Sequence, residues 1–155
     1  MTEIIKSDQP ERPALTTDRV LELWSRTYNT DGKPDCKHIF PYYHDDIVFQ
    51  DIIQEVKGKS DFMDMCARLT KRCEQLEMDI TAIASNENII IMEWKMTMIF
   101  RKTPSTPIYG MTKLTLGSDG RIIHQRDYYD LWGDIFQNVP LMRTIYPGIM
   151  HRIFG

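Results

Sequence analysis

From Leu76 to Asp130 the chain reads as one strand after another, separated by turn signals. Leu76 to Ala84 is the first, closed by Ser85-Asn86-Glu87-Asn88. IIIMEWKMTMIFR (89–101) is the second and alternates sharply. Met92, Trp94, Met96, Met98 and Phe100 fall on one face, and Ile91, Glu93, Lys95, Thr97 and Ile99 on the other. A proline-bearing loop at 102–107 leads into YGMTKLTL (109–116), and Ser118-Asp119-Gly120 reads as a hairpin turn into RIIHQRDYYD (121–130). Such a run of antiparallel strands needs helices to cover it.

Those helices lie upstream. Thr16 or Thr17 can cap the first, in which Val20, Leu21, Leu23, Trp24 and Tyr28 recur at helical spacing until Asp31-Gly32-Lys33-Pro34 stops it. A short helical piece is expected around 35–43. DDIVFQD (45–51) alternates as a strand, with Ile47, Phe49 and Asp51 on one face. Phe62, Met65, Cys66, Leu69 and Cys73 then mark a second helix from Ser60, a plausible cap, to Glu74. This order is α+β, with the helices gathered on one face of the sheet. At 155 residues the chain makes one domain after a loose polar tail over residues 1–15.

Composition narrows the function. A net charge of −3 with pI near 5.8 argues against a nucleic-acid binder, whose surface is usually basic. Cys36, Cys66 and Cys73 are odd in number and lack C-x-x-C spacing, so they give neither a disulfide framework nor a zinc site. All three are expected as free thiols: Cys66 and Cys73, seven positions apart on one helix, are separated by about 10 Å. His44 and His124 stand alone, with no carboxylate or cysteine at metal-ligand spacing. There is no G-x-S-x-G and no phosphate-cradling glycine motif, so no cofactor is implied. The N-terminus has no apolar run long enough for a secretory signal or a membrane span, which places the protein in the cytoplasm.

HQRDYYDLW (124–132) carries the most chemistry for its length. With YYHDDIVFQD and VKGKSDF upstream, GRIIHQRDYYDLW resembles the nuclear-transport-factor-2-like, or SnoaL-like, superfamily over residues 17–138. The resemblance implies a cone: a strongly bent antiparallel sheet wrapped around the N-terminal helix, a cystatin-like α+β roll. It also implies candidate site residues. By similarity to ketosteroid isomerases, Asp51 takes the place of the proton-shuttling base, Thr112 that of the second aspartate, and Trp24 or Ser25 that of the first-helix tyrosine. By similarity to limonene-1,2-epoxide hydrolases, Asp127 matches the last-strand aspartate. Glu93 and Lys95 stand where an Arg-x-Asp pair would hold it, and Phe49 and Asp51 where water is positioned.

Asp127 and Asp51 are thus candidate acid/base groups, with Lys95 and Glu93 as electrostatic partners. Phe49, Trp24, Thr112, Tyr129 and Ile47 are the candidate ligand-binding set. The resemblance implies that Asp127 and Tyr129 point into the cone, and alternation then turns His124, Arg126 and Tyr128 outward. Asp51 reads equally as a solvated strand end. Glu93 and Lys95 read equally as an exposed pair, in which case the Met92–Phe100 stripe faces the cavity. Residues 139–155 form an apolar extension, interrupted at Pro147-Gly148, that suits a lid or a dimer contact. Two function classes follow from the resemblance. One is a cofactor-independent isomerase, cyclase or hydrolase acting on an apolar small molecule. The other is a non-catalytic ligand-binding or accessory protein of the same fold. A homodimer through the apolar outer sheet face is the expected assembly.

Overall fold

The computed structural model describes residues 14–29, 33–100, 106–135 and 139–154, with backbone alone at 100, 106 and 135. The expectation of a loose tail over 1–15 falls mostly outside these residues, although Leu15 already packs into the core. Helix α1 (Thr17–Tyr28) is followed by a 3-10 turn (Phe40–Tyr42), β1 (Tyr43–Gln50), β2 (Glu55–Lys57), α2 (Lys59–Arg72) and β3 (Cys73–Asn86). Then come β4 (Ile89–Phe100), β5 (Thr106–Leu116), β6 (Ile122–Tyr129), a π-helical turn (Leu131–Ile135) and α3 (Pro140–Phe154). All six strands form one sheet in the order β2-β1-β6-β5-β4-β3.

The sheet is mixed rather than antiparallel throughout, because β1 runs parallel to β6. Its other neighbours are antiparallel. Connectivity explains the exception. Strand β2 reverses β1, α2 carries the chain back so that β3 starts in the direction of β2, and three reversals leave β6 running with β1. Register shifts fall between Ile80 and Ala82 on β3 and between Thr115 and Leu116 on β5. Such bulges bend strands, which lets the sheet curl around α1.

Helix α1 fills the concave side with Val20, Leu23, Trp24 and Thr27. The Thr16 hydroxyl caps its first turn by accepting from the Arg19 amide. Beyond its C-terminus, the Asn29 side chain donates to the Met78 carbonyl at 2.9 Å and accepts from the Met78 amide at 3.0 Å, locking the helix to β3. Helix α2 starts one residue before Ser60, and the capping position belongs to Gly58. There φ is +88°, a conformation glycine adopts without cost, and the Gly58 amide reaches the Ile47 carbonyl at 2.8 Å. Phe62, the buried residue of α2, packs among Phe40, Tyr43 and Phe49.

Helix α3 runs continuously from Pro140 to Phe154, through Pro147. Proline removes one backbone donor, and on an exposed helix water can take the freed carbonyl. Trp132 stacks on Tyr146 at 5.2 Å between ring centroids, but none of α3 is buried. Leu141, Ile145, Ile149 and Ile153 form a stripe left open to solvent. No helix among the described residues is long and apolar enough to cross a membrane.

Candidate functional site

Strand β6 alternates as its residue pattern requires. Gln125, Asp127 and Tyr129 turn to the concave side, while Arg126 and Tyr128 lie outside, the guanidinium 5.0 Å from the Tyr128 ring centroid. Register places Thr112 of β5 beside Asp127, Met92 of β4 beside Thr112, and Trp94 beside Gly110. A chain of hydrogen bonds follows from this register. The Trp94 indole N–H donates to Thr112 Oγ1 at 2.9 Å, and the Thr112 hydroxyl donates to Asp127 Oδ1 at 2.7 Å. From the other side, Gln125 Nε2 donates to the same carboxyl at 3.1 and 3.3 Å. The Tyr43 hydroxyl holds Gln125 by donating to its Oε1. The indole lies directly against Gly110, where a Cβ would come within 2.5 Å of it.

Asp51 closes the turn after β1 and also reaches Tyr129. Its Oδ1 accepts the amides of Ile53 and Gln54 at 2.7 and 2.8 Å, an Asx turn at the end of β1. Its Oδ2 accepts from the Tyr129 hydroxyl at 3.2 Å, so the same side chain joins the inner face of β6. Burial pushes the Asp127 carboxyl up to about 6; hydrogen bonds from Thr112 and Gln125 oppose that rise, and the Asp51 charge adds to it. Burial, followed by the Asp51 charge, also raises the Tyr129 phenol. Among the described residues no cation pairs with Asp127. Tyr28, Tyr43 and Cys66 complete its electrostatic surroundings.

Glu93 and Lys95 do not join this group. They occupy the other face of β4, where Glu93 stands beside Ala82 and exposed Met111, and Lys95 beside Asp79 and exposed Tyr109. The inward residues of β4 are Ile90, Met92 and Trp94, buried, and Met96 and Met98, partly so; the Phe100 side chain lies outside the described residues. Ile47, Phe49, Trp24 and Thr112 are all buried on the concave side. Sequence reasoning missed Gln125, although it lies two residues before Asp127 and so on the same face. Tyr28 and Tyr43 gave no such signal, because their direction depends on how α1 and the 3-10 turn dock. An open cleft of about 560 Å³ between β2 and α2 is lined by Glu55, Lys57, Asp61, Asp64 and Arg68 and shares none of these residues. Among the described residues no three His, Cys, Asp or Glu side chains converge as metal ligands.

Residues 18–125 match the model of the SnoaL-like domain. The chain belongs to the SnoaL-like domain family. No curated protein sequence matches it. Solved structures resemble it in fold. A Catenulispora acidiphila protein of ketosteroid isomerase-like fold, in complex with trimethylamine, superposes with TM-score 0.67 at 17% identity, covering 80% of this chain and 95% of its own. An LEH-like epoxide hydrolase from M. tuberculosis gives TM-score 0.63 at 20% identity, covering 83% and 94%. A protein assigned as a SnoaL-like polyketide cyclase from Shewanella putrefaciens gives 0.64 at 14%, covering 80% and 85%. At these identities the likeness is one of fold.

In this SnoaL-like domain the Asp127 environment carries a stability consequence. The carboxyl titrates at about 6 when folded and near its ordinary value of 3.8 when unfolded, so the native state holds the proton more tightly. Asp127 therefore favours folding below about pH 4, and that contribution is lost as pH rises through 6. Asparagine at 127 keeps an oxygen for Thr112 and Gln125 but has no charge to bury. Asp127→Asn should be the more stable protein at pH 8, by about 1–2 kcal/mol after discounting for partial exposure, and equal to the parent near pH 4. Thermal melts of both proteins across that range measure the difference; a gap that does not change with pH would contradict the assignment.

Proposed function

We propose that this chain is a cofactor-independent acid/base enzyme of the isomerase, cyclase or hydrolase kind, acting on an apolar small molecule through Asp127. One observation carries the reading. A carboxyl raised to about 6 sits on the inner face of a largely apolar cone, oriented by Thr112 and Gln125, with no cation beside it among the described residues. A group with that pKa exchanges protons readily near neutral pH, and a bound substrate would shield the exchange from water. Asp51 and Tyr129 supply a second polar edge on the same face. Ile47, Phe49 and Trp24 give the apolar wall, and Glu93 and Lys95, on the opposite face, have no part in it. The M. tuberculosis relative is an epoxide hydrolase. Here the β4 positions facing Asp127 are Met92 and Trp94, which favours single-carboxyl proton transfer, as in an isomerisation or cyclisation.

A binding protein without chemistry is the second reading. Its support is that no buried side-chain nitrogen or oxygen among the described residues lacks a partner, so the polar chain is complete without a substrate. One experiment separates the two. Small molecules carried through purification are identified by mass spectrometry, and the protein is incubated with them and with panels of apolar epoxides, enolisable ketones and aromatic polyketide esters. Conversion by the parent and not by Asp127→Asn supports the enzyme. A ligand that binds both and is returned unchanged leaves the binding reading.

The assembly we propose is a homodimer in the cytoplasm. Ile91, Tyr109, Met111, Ile123 and Tyr128 are exposed together on the outer face of β4, β5 and β6, and α3 adds its open stripe. Exposed apolar surface of this extent is commonly buried against a second copy. Light scattering at micromolar concentration should give twice the 18.3 kDa chain mass; a monomer mass would overturn the dimer.

A further inference from the structure

The donors around Asp127 do not fall evenly on its two oxygens. Thr112 Oγ1 lies 2.7 Å from Oδ1, and Gln125 Nε2 lies 3.1 Å from Oδ1 and 3.3 Å from Oδ2. Among the described residues, Oδ2 has only the longer of the two Gln125 contacts. Where the carboxyl proton sits then depends on which way the Thr112 hydroxyl points, since a hydroxyl can donate or accept.

Trp94 fixes that direction. Its indole N–H donates and never accepts, so the 2.9 Å bond to Thr112 makes Oγ1 the acceptor there. Thr112 is 2% exposed, so its own proton has to find an acceptor within the protein. Among the described residues that acceptor is Asp127 Oδ1. Were Asp127 to donate from Oδ1 to Thr112 instead, the threonine oxygen would take two incoming bonds and its hydrogen would be left without a partner. Gln125 points the same way. The Tyr43 hydroxyl donates to its Oε1, which turns Nε2 toward Asp127. Both lone pairs of Oδ1 are thereby taken. The sheet holds Trp94 in place for this: it stands opposite Gly110, where the missing side chain lets the indole lie across β5 and reach Thr112, two residues on and on the same face.

We propose that Trp94 is a positioning residue which, through Thr112, confines the exchangeable proton of Asp127 to Oδ2. The consequence for chemistry rests on the acid/base reading above. The base form accepts on Oδ2 the proton that a substrate loses, and the acid form returns it from Oδ2. Oδ1 keeps its two donors throughout, so a substrate has to lie against Oδ2. The titratable groups around Asp127 are Tyr28 of α1, Tyr43 at the start of β1, Asp51 just beyond its end, Cys66 of α2 and Tyr129 of β6. None of them is a hydrogen-bond partner of Oδ1, so the two donors on that oxygen are neutral groups.

The test follows Asp127 in the full chain with no substrate present. Aspartates are isotopically labelled at the carboxyl carbon and titrated by NMR, the Asp127 signal being the one lost in Asp127→Asn. The parent should titrate at about 6. Thr112→Val keeps the shape of threonine and removes a donor that favours the charged carboxylate. Its midpoint should rise by about one pH unit, a roughly tenfold tighter hold on the proton. Thr112→Ser should return to the parent value. Trp94→Phe should raise the midpoint by less, and should add nothing in the Thr112→Val background, because its effect passes through that hydroxyl. Infrared difference spectra across the midpoint give a second readout. With Oδ1 as the carbonyl oxygen of the acid form, the C=O band should move to higher wavenumber in Thr112→Val. A midpoint that falls in Thr112→Val would mean that Thr112 accepts the carboxyl proton, and would overturn the proposal. So would an equal effect of Trp94→Phe in both backgrounds, the result expected of lost packing alone, and so would a carbonyl band that Thr112→Val leaves unmoved. The band decides the matter even where Trp94→Phe folds poorly. None of these readouts needs turnover: a protein that gives them all and converts no substrate refutes the acid/base reading and leaves the proton on Oδ2.

Discussion

Gly110→Val should cost the fold about 4 kcal/mol, enough to lower Tm by roughly 10 °C or more. A Cβ at this position would lie 2.4 Å from the Trp94 ring and 2.7 Å from the Tyr128 carbonyl oxygen, and valine adds two methyl groups beyond it. The carbonyl belongs to the β5–β6 ladder and cannot retreat without breaking the register that sets Thr112 against Asp127. The indole cannot turn away freely either, because it is buried and its N–H is committed to Thr112. Whichever yields, the site loosens along with the fold: displacing Trp94 frees the Thr112 hydroxyl to rotate off the carboxyl. Alanine tests the same contact with less bulk and should lie between the parent and valine. Denaturant unfolding of the three proteins gives the comparison. Equal midpoints for parent and valine would mean that the indole does not lie over Gly110 in solution.

This dependence of site on packing also explains what could be read from sequence. The strands were legible because a period of two is a local property, and the same period gave the inward set on β6 once one of its members was assigned. The period cannot say which face of β4 is inside. It offered Glu93 with Lys95, or Met92 with Trp94, and the choice is made by the core that the second pair joins, to which α1 contributes Val20, Leu23 and Trp24. The parallel β1–β6 pairing was hidden for a similar reason: strands more than seventy residues apart announce nothing about their mutual direction, which follows from a count of reversals across α2 and the hairpins. Glycine at 58 was invisible as a helix boundary because its role comes from φ and a bond to Ile47, while Ser60 carried the usual capping side chain. Pro147 misled in the opposite sense. Its breaking tendency is strongest inside a packed helix, and no residue of α3 is buried.

Asp127→Asn should lower turnover by roughly 10²–10⁴-fold and leave substrate affinity nearly unchanged. The substitution is close to isosteric, and its remaining oxygen can accept from both Thr112 and Gln125, so the hydrogen-bonded chain from Trp94 to Tyr43 persists. What disappears is the proton that can be given or taken. The pH profile of the parent then distinguishes the direction of transfer. With the free carboxyl titrating at about 6, kcat/KM should climb through that pH if the reaction begins by removing a proton from substrate. It should fall through the same pH if the reaction begins by protonating substrate. Asp51→Asn is the matching control. Asparagine keeps the oxygen that accepts the Ile53 and Gln54 amides, so the turn survives, while the charge that helps raise Asp127 is gone. The pH limb should therefore move below 6 in that variant, with turnover reduced far less than in Asp127→Asn. Full turnover in Asp127→Asn, together with its collapse in Asp51→Asn, would transfer the proton-handling role to the end of β1.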